Sequence, residues 1–145
     1  VGKTPAQEDT MGKAIPTVSK YMTTSPHSIG TDQNLKVASE LMEKYKIRHL
    51  PVLERGLLLG LISDRDLKTA IGLRDLDPTR ATVAEIAREE VYVTSPDAPL
   101  DQVVRTMAQK RYGSAVVMDN HKMVGIFTAV DALGALDELL HTRLA

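Results

Sequence analysis

The chain repeats itself. Laid against itself at an offset of 65 residues, the sequence brings Thr17-Val18 onto Thr82-Val83 and needs no gap from position 17 to 71. In that register Asp32 meets Asp97, Leu35 meets Leu100, Met42 meets Met107, Val52 meets Val117, Gly60 meets Gly125, Asp66 meets Asp131 and Ala70 meets Ala135. Ser63 lands on Thr128 and keeps its hydroxyl. Two copies of one unit therefore occupy 17–71 and 82–136, the second carried on to 140 by its last helix. A polar tail, 1–16, precedes them and a charged linker, 72–81, joins them. A copy of about 55 residues sits near the lower size limit for a single core, so neither half is expected to be stable alone. The pair is expected to pack as one module with approximate twofold symmetry, leaving two related clefts.

Each copy changes its hydrophobic period in the same order. Leu35, Ala38, Met42 and Tyr45 form one stripe of an amphipathic helix, and Leu100, Val103, Val104 and Met107 repeat it. Then come two apolar strands joined by a tight turn: Leu50 to Leu53 and Leu57 to Ile62 around Glu54-Arg55-Gly56, and Ala115 to Met118 and Met123 to Phe127 around Asp119-Asn120-His121. These runs scarcely alternate, which predicts strands covered on both faces. A short helix follows over 64–70 and 129–140. Ahead of the long helices lie extended segments near 27–29 and 92–94, and before those helical turns at 18–22 and 83–87. Thr82 with Glu85 fits a capping box at the second of these turns. The fold class is α/β (α+β), strand-helix-strand-strand-helix given twice.

Composition removes several functions. With 18 basic against 19 acidic residues the net charge is −1, which offers no long-range attraction to polyanions, so nucleic acid is set aside as a principal partner. Zero cysteines exclude disulfides, thiolate metal sites and a cysteine nucleophile. The longest apolar stretch, Leu57 to Ile62, falls far short of the ~20 residues a bilayer crossing needs, and no secretory signal is visible. The expected setting is cytoplasmic. The four histidines lack metal spacing, and no Ser/His/Asp set has supporting context. His121, in a turn, and His141, near a helix end, read as structural. Gly2-Lys3-Thr4 resembles the end of a phosphate loop without its upstream glycine and strand. The first residue is Val, and Met11 is a plausible start.

The chemistry gathers in Gly60-Leu61-Ile62-Ser63-Asp64-Arg65-Asp66 and its copy Gly125-Ile126-Phe127-Thr128-Ala129-Val130-Asp131. One reading is a pair of N-terminal helix caps, since a hydroxyl residue followed three later by an acid is a capping pattern. The other is a ligand site. Exposed N–H groups at the helix start favour an anion, to which Ser63 and Thr128 can donate. Asp66 and Asp131, acceptor-only when ionised, can take both hydrogens of a vicinal diol such as a ribose. Gly60 and Gly125 remove a side chain where a ligand would approach the backbone. Hydroxyl for phosphate with carboxylate for ribose describes a nucleotide.

With Ile47-Arg48-His49-Leu50-Pro51-Val52 feeding into Gly60…Ser63-Asp64-Arg65-Asp66, the tandem resembles a pair of CBS domains over roughly 17–140. The resemblance implies a regulatory, or Bateman, module that binds AMP, ADP, ATP or S-adenosylmethionine in its clefts and pairs into a disc-like homodimer. Carried over residue by residue, it puts Ser63 and Thr128 on phosphate and Asp66 and Asp131 on ribose. The Thr-x-x-Pro that flanks the adenine is Thr23-Thr24-Ser25-Pro26; in the second copy the same register gives Arg88 to Val91. Base walls are expected from His27 and Ile29 in one unit and Tyr92 in the other. Arg48, His49 and Arg65 stand near the first motif, where the second has Gly113, Ser114 and Val130. The Asp66 cleft is therefore expected to accept a multiply charged phosphate, and the Asp131 cleft a less charged ligand or none.

Three functions compete: a non-enzymatic adenine-nucleotide sensor acting on a separate effector protein, an assembly module with vestigial sites, and a small nucleotide hydrolase. No general base, nucleophile or metal cluster accompanies the phosphate site, which speaks against the third. The Leu133, Leu136, Leu139 and Leu140 series suits either a dimer face or the covering of the module's own sheet.

Overall fold

The computed structural model describes residues 14–144, so Gly2-Lys3-Thr4 and Met11 lie outside the described residues. In the first copy a 3-10 turn at Val18–Lys20 leads into strand β1 (Thr23–Thr24), strand β2 (Ile29–Gly30) and helix α1 (Leu35–Tyr45). Strands β3 (His49–Glu54) and β4 (Leu57–Ser63) follow, then helix α2 (Asp64–Lys68), which runs into a π-helical turn at Thr69–Leu73. The second copy comprises α3 (Val83–Ile86), β5 (Val93–Thr94), α4 (Leu100–Lys110), β6 (Ser114–Asp119), β7 (Lys122–Thr128) and α5 (Ala129–Leu144). This is a mixed α/β fold of two repeats. Among the described residues no helix is long and apolar enough to cross a membrane.

Local chemistry explains the matching elements. The carboxamide oxygen of Asn34 accepts the Val37 N–H at 2.9 Å and opens α1. Both long helices end on a residue in the left-handed region, Lys46 (φ 56°) and Arg111 (φ 61°). Both hairpins turn at two residues of positive φ, Arg55-Gly56 and Asn120-His121, the geometry that suits the twist of paired strands. Each hairpin also shifts register at the equivalent place, after Val52 and after Val117.

The opening segment of each copy leaves its own unit and docks on the other. Strand β1 pairs with β7, Thr23 opposite Ile126, while Arg88 bridges to Leu61 of β4. Thr23 and Arg88 are equivalent in the repeat, as are Ile126 and Leu61. The helical turns cross in the same way: Val18 N–H donates to Ala98 O at 2.9 Å, and Val83 N–H to Gln33 O at 2.8 Å. Val18 is consequently a fully buried member of the core built on α4, β6 and β7, and Val83 of the core built on α1, β3 and β4. Burying a valine completely stabilises by about 1.5–3 kcal/mol, so each half carries one anchor of the other. One sheet runs β1-β7-β6-β5 and the other β2-β3-β4, with Arg88 along the free edge of β4.

Several expectations change. Tail and linker are tied down where they meet the helices: Pro16 O accepts the Leu100 N–H at 2.9 Å and Ala81 O the Leu35 N–H at 3.1 Å. The outer half of β4 is not covered on both faces, since Leu57 and Leu59 are exposed where no crossing strand reaches. In the leucine series Leu139 packs on the second core, whereas Leu133, Leu136 and Leu140 are exposed.

Gly60 and Gly125 serve the crossing strand. A Cβ on Gly60 would lie 2.5 Å from Arg88 O, and one on Gly125 would lie 2.5 Å from Met22 Sδ and 3.0 Å from Thr23 O. The chain's own backbone, not a ligand, occupies the space the missing side chains leave. Gly60→Ala is expected to destabilise by about 1–3 kcal/mol through overpacking. Gly134→Ala, in α5 with no atom beyond its chain neighbours and the adjoining helix backbone within 4 Å of the new methyl group, is expected to be neutral or stabilising by up to about 1 kcal/mol. Urea unfolding of the two variants checks this; equal effects would contradict it.

Candidate functional site

Both hydroxyl-acid motifs form helix caps. The Ser63 N–H donates to Asp66 Oδ2 at 3.0 Å while the Asp66 N–H donates to Ser63 Oγ at 3.0 Å. In the second copy the Thr128 N–H donates to Asp131 Oδ2 at 2.9 Å and the Asp131 N–H to Thr128 Oγ1 at 3.3 Å. The first N–H groups of the helices are spent as well, Asp64 on Arg48 O at 2.9 Å and Ala129 on Gly113 O at 3.1 Å. The expected row of free helix N–H groups for an anion is thus mostly taken by the chain itself.

The second oxygen of each carboxylate faces the crossing strand. Thr23 Oγ1 donates to Asp131 Oδ1 at 3.2 Å. At the equivalent place Arg88 donates twice to Asp66 Oδ1, from Nε at 3.0 Å and from Nη2 at 2.9 Å. The Asp66 side chain is 12% exposed, that of Arg88 67%. Burial pushes the Asp66 carboxyl up, but the hydrogen bonds from Arg88 and Ser63 outweigh it and hold the group below its ordinary value. Asp66 is therefore ionised at neutral pH.

A cleft of about 1010 Å³ opens over this pair, with Arg48, Arg65 and Arg111 around it and Glu89 and Glu90 on the crossing segment. The rings of Tyr92 and Tyr112 stack at its wall, centroids 5.4 Å apart. His49 also lines it, with its ring against Gly113, where a Cβ would come within 2.9 Å of Nε2. Gly113 is the repeat equivalent of Arg48, so the two copies meet at this imidazole. Burial lowers the His49 pKa; Asp66 pulls it up and Arg48 pushes it further down.

Of the residues singled out in the sequence, Arg48, His49, Ser63, Arg65, Asp66 and Tyr92 come together in this cleft. Thr23 stands against Asp131, so the Thr-x-x-Pro of the first copy serves the motif of the second. Thr24 pairs with Gly125, and Pro26 is half-buried. His27 stacks on Tyr45 at 3.7 Å, and Ile29 is buried in the first core, so neither is a free base wall. Arg88, Arg111 and Tyr112 were not foreseen. The repeat register had already set Arg88 on Thr23, but only the strand exchange gives that match a meaning.

Fold and site together define a two-repeat module in which each copy presents a capped carboxylate to a segment of the other. The CBS domain model matches residues 18–73 and 83–138, and the chain belongs to that family as a tandem pair. Proteins of this family are generally regulatory. Hypoxic response protein 1 of Mycobacterium tuberculosis is 29% identical over 111 residues, 76% of this chain and 78% of that protein. The acetoin-utilization candidate AcuB of Vibrio cholerae superposes with a TM-score of 0.84 at 28% identity, covering 92% of this chain and 100% of its own. Two structures at 24% identity share the fold. They are the CBS pair of protein MJ0100 in complex with 5′-methylthioadenosine and S-adenosyl-L-methionine (TM-score 0.79, 87% and 99% covered) and CBSX2 in complex with AMP (TM-score 0.74, 86% and 98% covered).

The lowered His49 pKa has a definite consequence. The unfolded chain takes up a proton near pH 6.5 while the folded chain still holds His49 neutral, so stability falls as pH drops below that value. Wild type is expected to lose stability between pH 7 and pH 5, and His49→Gln to lose less. Urea midpoints across that range test it; parallel slopes would contradict it.

Proposed function

We infer that the chain is a regulatory module that binds an adenine nucleotide or related adenosyl ligand between its two repeats and signals by changing their relative arrangement. The single observation that carries this reading is the Asp66 cleft. It combines an ionised carboxylate for a ribose, the Ser63 hydroxyl still able to donate, arginines for phosphate and a stacked tyrosine pair for a base. The adenosyl ligands of MJ0100 and CBSX2 support the ligand class, which here comprises AMP, ADP, ATP and S-adenosylmethionine. Ser63, Asp66, Arg48, Arg65 and Tyr92 serve one cleft, and Thr23, Thr128 and Asp131 the other.

Among the described residues no group of three metal-ligating side chains gathers, and the hydroxyls stand beside cap partners rather than a general base. The reading is of a non-enzymatic cytoplasmic sensor, with a separate protein as effector. Val130, Leu133, Leu136 and Leu140 are exposed on α5 and favour a homodimer through that helix. A second reading, an assembly module with empty sites, draws on one observation: both carboxylates are already satisfied by the chain's own donors.

Thermal unfolding with AMP, ADP, ATP, adenosine and S-adenosylmethionine decides between them. A ligand at ~100 times its Kd is expected to raise stability by about 2.7 kcal/mol, roughly 5–10 °C for a chain of this size. The shift should be reduced in Asp66→Ala, in Asp131→Ala or in both. No shift with any ligand at millimolar concentration would favour the assembly module.

A further inference from the structure

The two motif carboxylates differ most in the donor that the crossing strand brings to them. Each gives Oδ2 to its own cap and turns Oδ1 to the residue brought in by the crossing strand. At Asp131 that residue is Thr23, whose hydroxyl rotates and exchanges readily for another hydroxyl. At Asp66 it is Arg88, a fixed cation with two N–H groups on the same oxygen. Of the roughly four acceptor positions of the Asp66 carboxylate the Ser63 N–H takes one and Arg88 two, so a ribose diol, which needs two, is not accepted until the guanidinium leaves. Arg88 leaves readily only for another anion, because a neutral competitor would strip it of its charged acceptor and offer nothing in return.

We propose that Arg88 is a charge gate on the Asp66 cleft: a ligand's phosphate draws the guanidinium off Asp66, and the carboxylate thus freed takes the ribose. The exchange conserves charge pairing, since one carboxylate-guanidinium contact is traded for one phosphate-guanidinium contact while neutral hydroxyls fill the vacated oxygen. Arg48, Arg65 and Arg111 line the same cleft, and among the described residues none has a carboxylate within salt-bridge distance, so they favour the arriving phosphate. Glu89 and Glu90 face it too, and their repulsion, which grows with the charge of the ligand, partly offsets the arginines. Adenosine, which carries no anion, leaves the gate shut, although nothing of the kind guards Asp131. The specificity of the cleft is then for charge, and it is written in the crossing strand rather than in the motif.

This assignment rests on the proposed nucleotide-binding function, and its test separates the two. In an Asp131→Ala background, which isolates the Asp66 cleft, calorimetric titrations with adenosine and with ATP are compared before and after Arg88→Thr, the residue the other copy uses. Arg88→Thr is expected to tighten adenosine on the order of tenfold and weaken ATP by a similar factor, the scale of one charge-assisted contact. An arginine that only binds phosphate would weaken ATP and leave adenosine unmoved. Arg88→Gln, which keeps an amide donor without charge, should shift both ligands in the same directions and guards against a folding defect confined to one variant. Adenosine affinity unchanged or lowered in both variants, with ATP still bound, overturns the gate and leaves the nucleotide function standing. So does ATP binding that survives Asp66→Ala but vanishes in Asp131→Ala. Failure of every adenosyl ligand to bind wild type overturns both.

Discussion

Two backbone hydrogen bonds, Leu61 N–H to Arg88 O at 2.9 Å and Arg88 N–H to Leu61 O at 2.8 Å, mark the contact on which the architecture depends. With the equivalent pairing of Thr23 and Ile126, they fasten the opening segment of each copy to the sheet of the other. Neither repeat can close its core alone, because Val18 and Val83 each belong to the core of the partner repeat. The glycines beside the crossing follow from it, since Arg88 O and Thr23 O lie where their side chains would be. A duplicated half-domain of marginal size has become one unit by exchange rather than by simple face-to-face packing.

The same exchange builds the Asp66 cleft. Whatever residue the crossing strand carries at the position of Thr23 or Arg88 arrives against the motif carboxylate of the other copy. The motif itself has two tasks in one place. As a capping box it starts the helix and fixes the aspartate; the same fixed carboxylate turns its other oxygen to the donor that the crossing strand brings. Choosing between cap and ligand site is unnecessary, since holding the carboxylate still is what makes it a useful acceptor. The repeat keeps the motif while the crossing residue and its flanks vary, so the copies are alike in fold and unlike in charge.

Most of the fold was legible because hydrophobic period and turn chemistry are local. The stripes of α1 and α4, both hairpins and the Thr82 capping box stand where the sequence puts them. What was not legible is non-local. Nothing in Thr23-Thr24 or Arg88 says that these residues pair with the other copy, for two-residue strands carry no period. The site suffered accordingly: Arg48, His49, Arg65 and Asp66 came together because they lie at the ends of their own hairpin. Thr23 goes to the opposite motif, and Arg88 stands where the first copy has that threonine. His27 and Ile29 are held by packing that their short segment does not announce, the first on Tyr45 and the second in the core.

Native-state hydrogen exchange of the Leu61 and Arg88 amides tests the central claim, that the crossing strand is an integral part of one cooperative unit. The account predicts that both amides open with the free energy of global unfolding, matching amides in the centres of β3 and β6. Exchange of the pair through low-energy local opening, while those core strands stay protected, would contradict it. The repeats would then be two domains in loose contact, and the Asp66 cleft would not be set by the exchange.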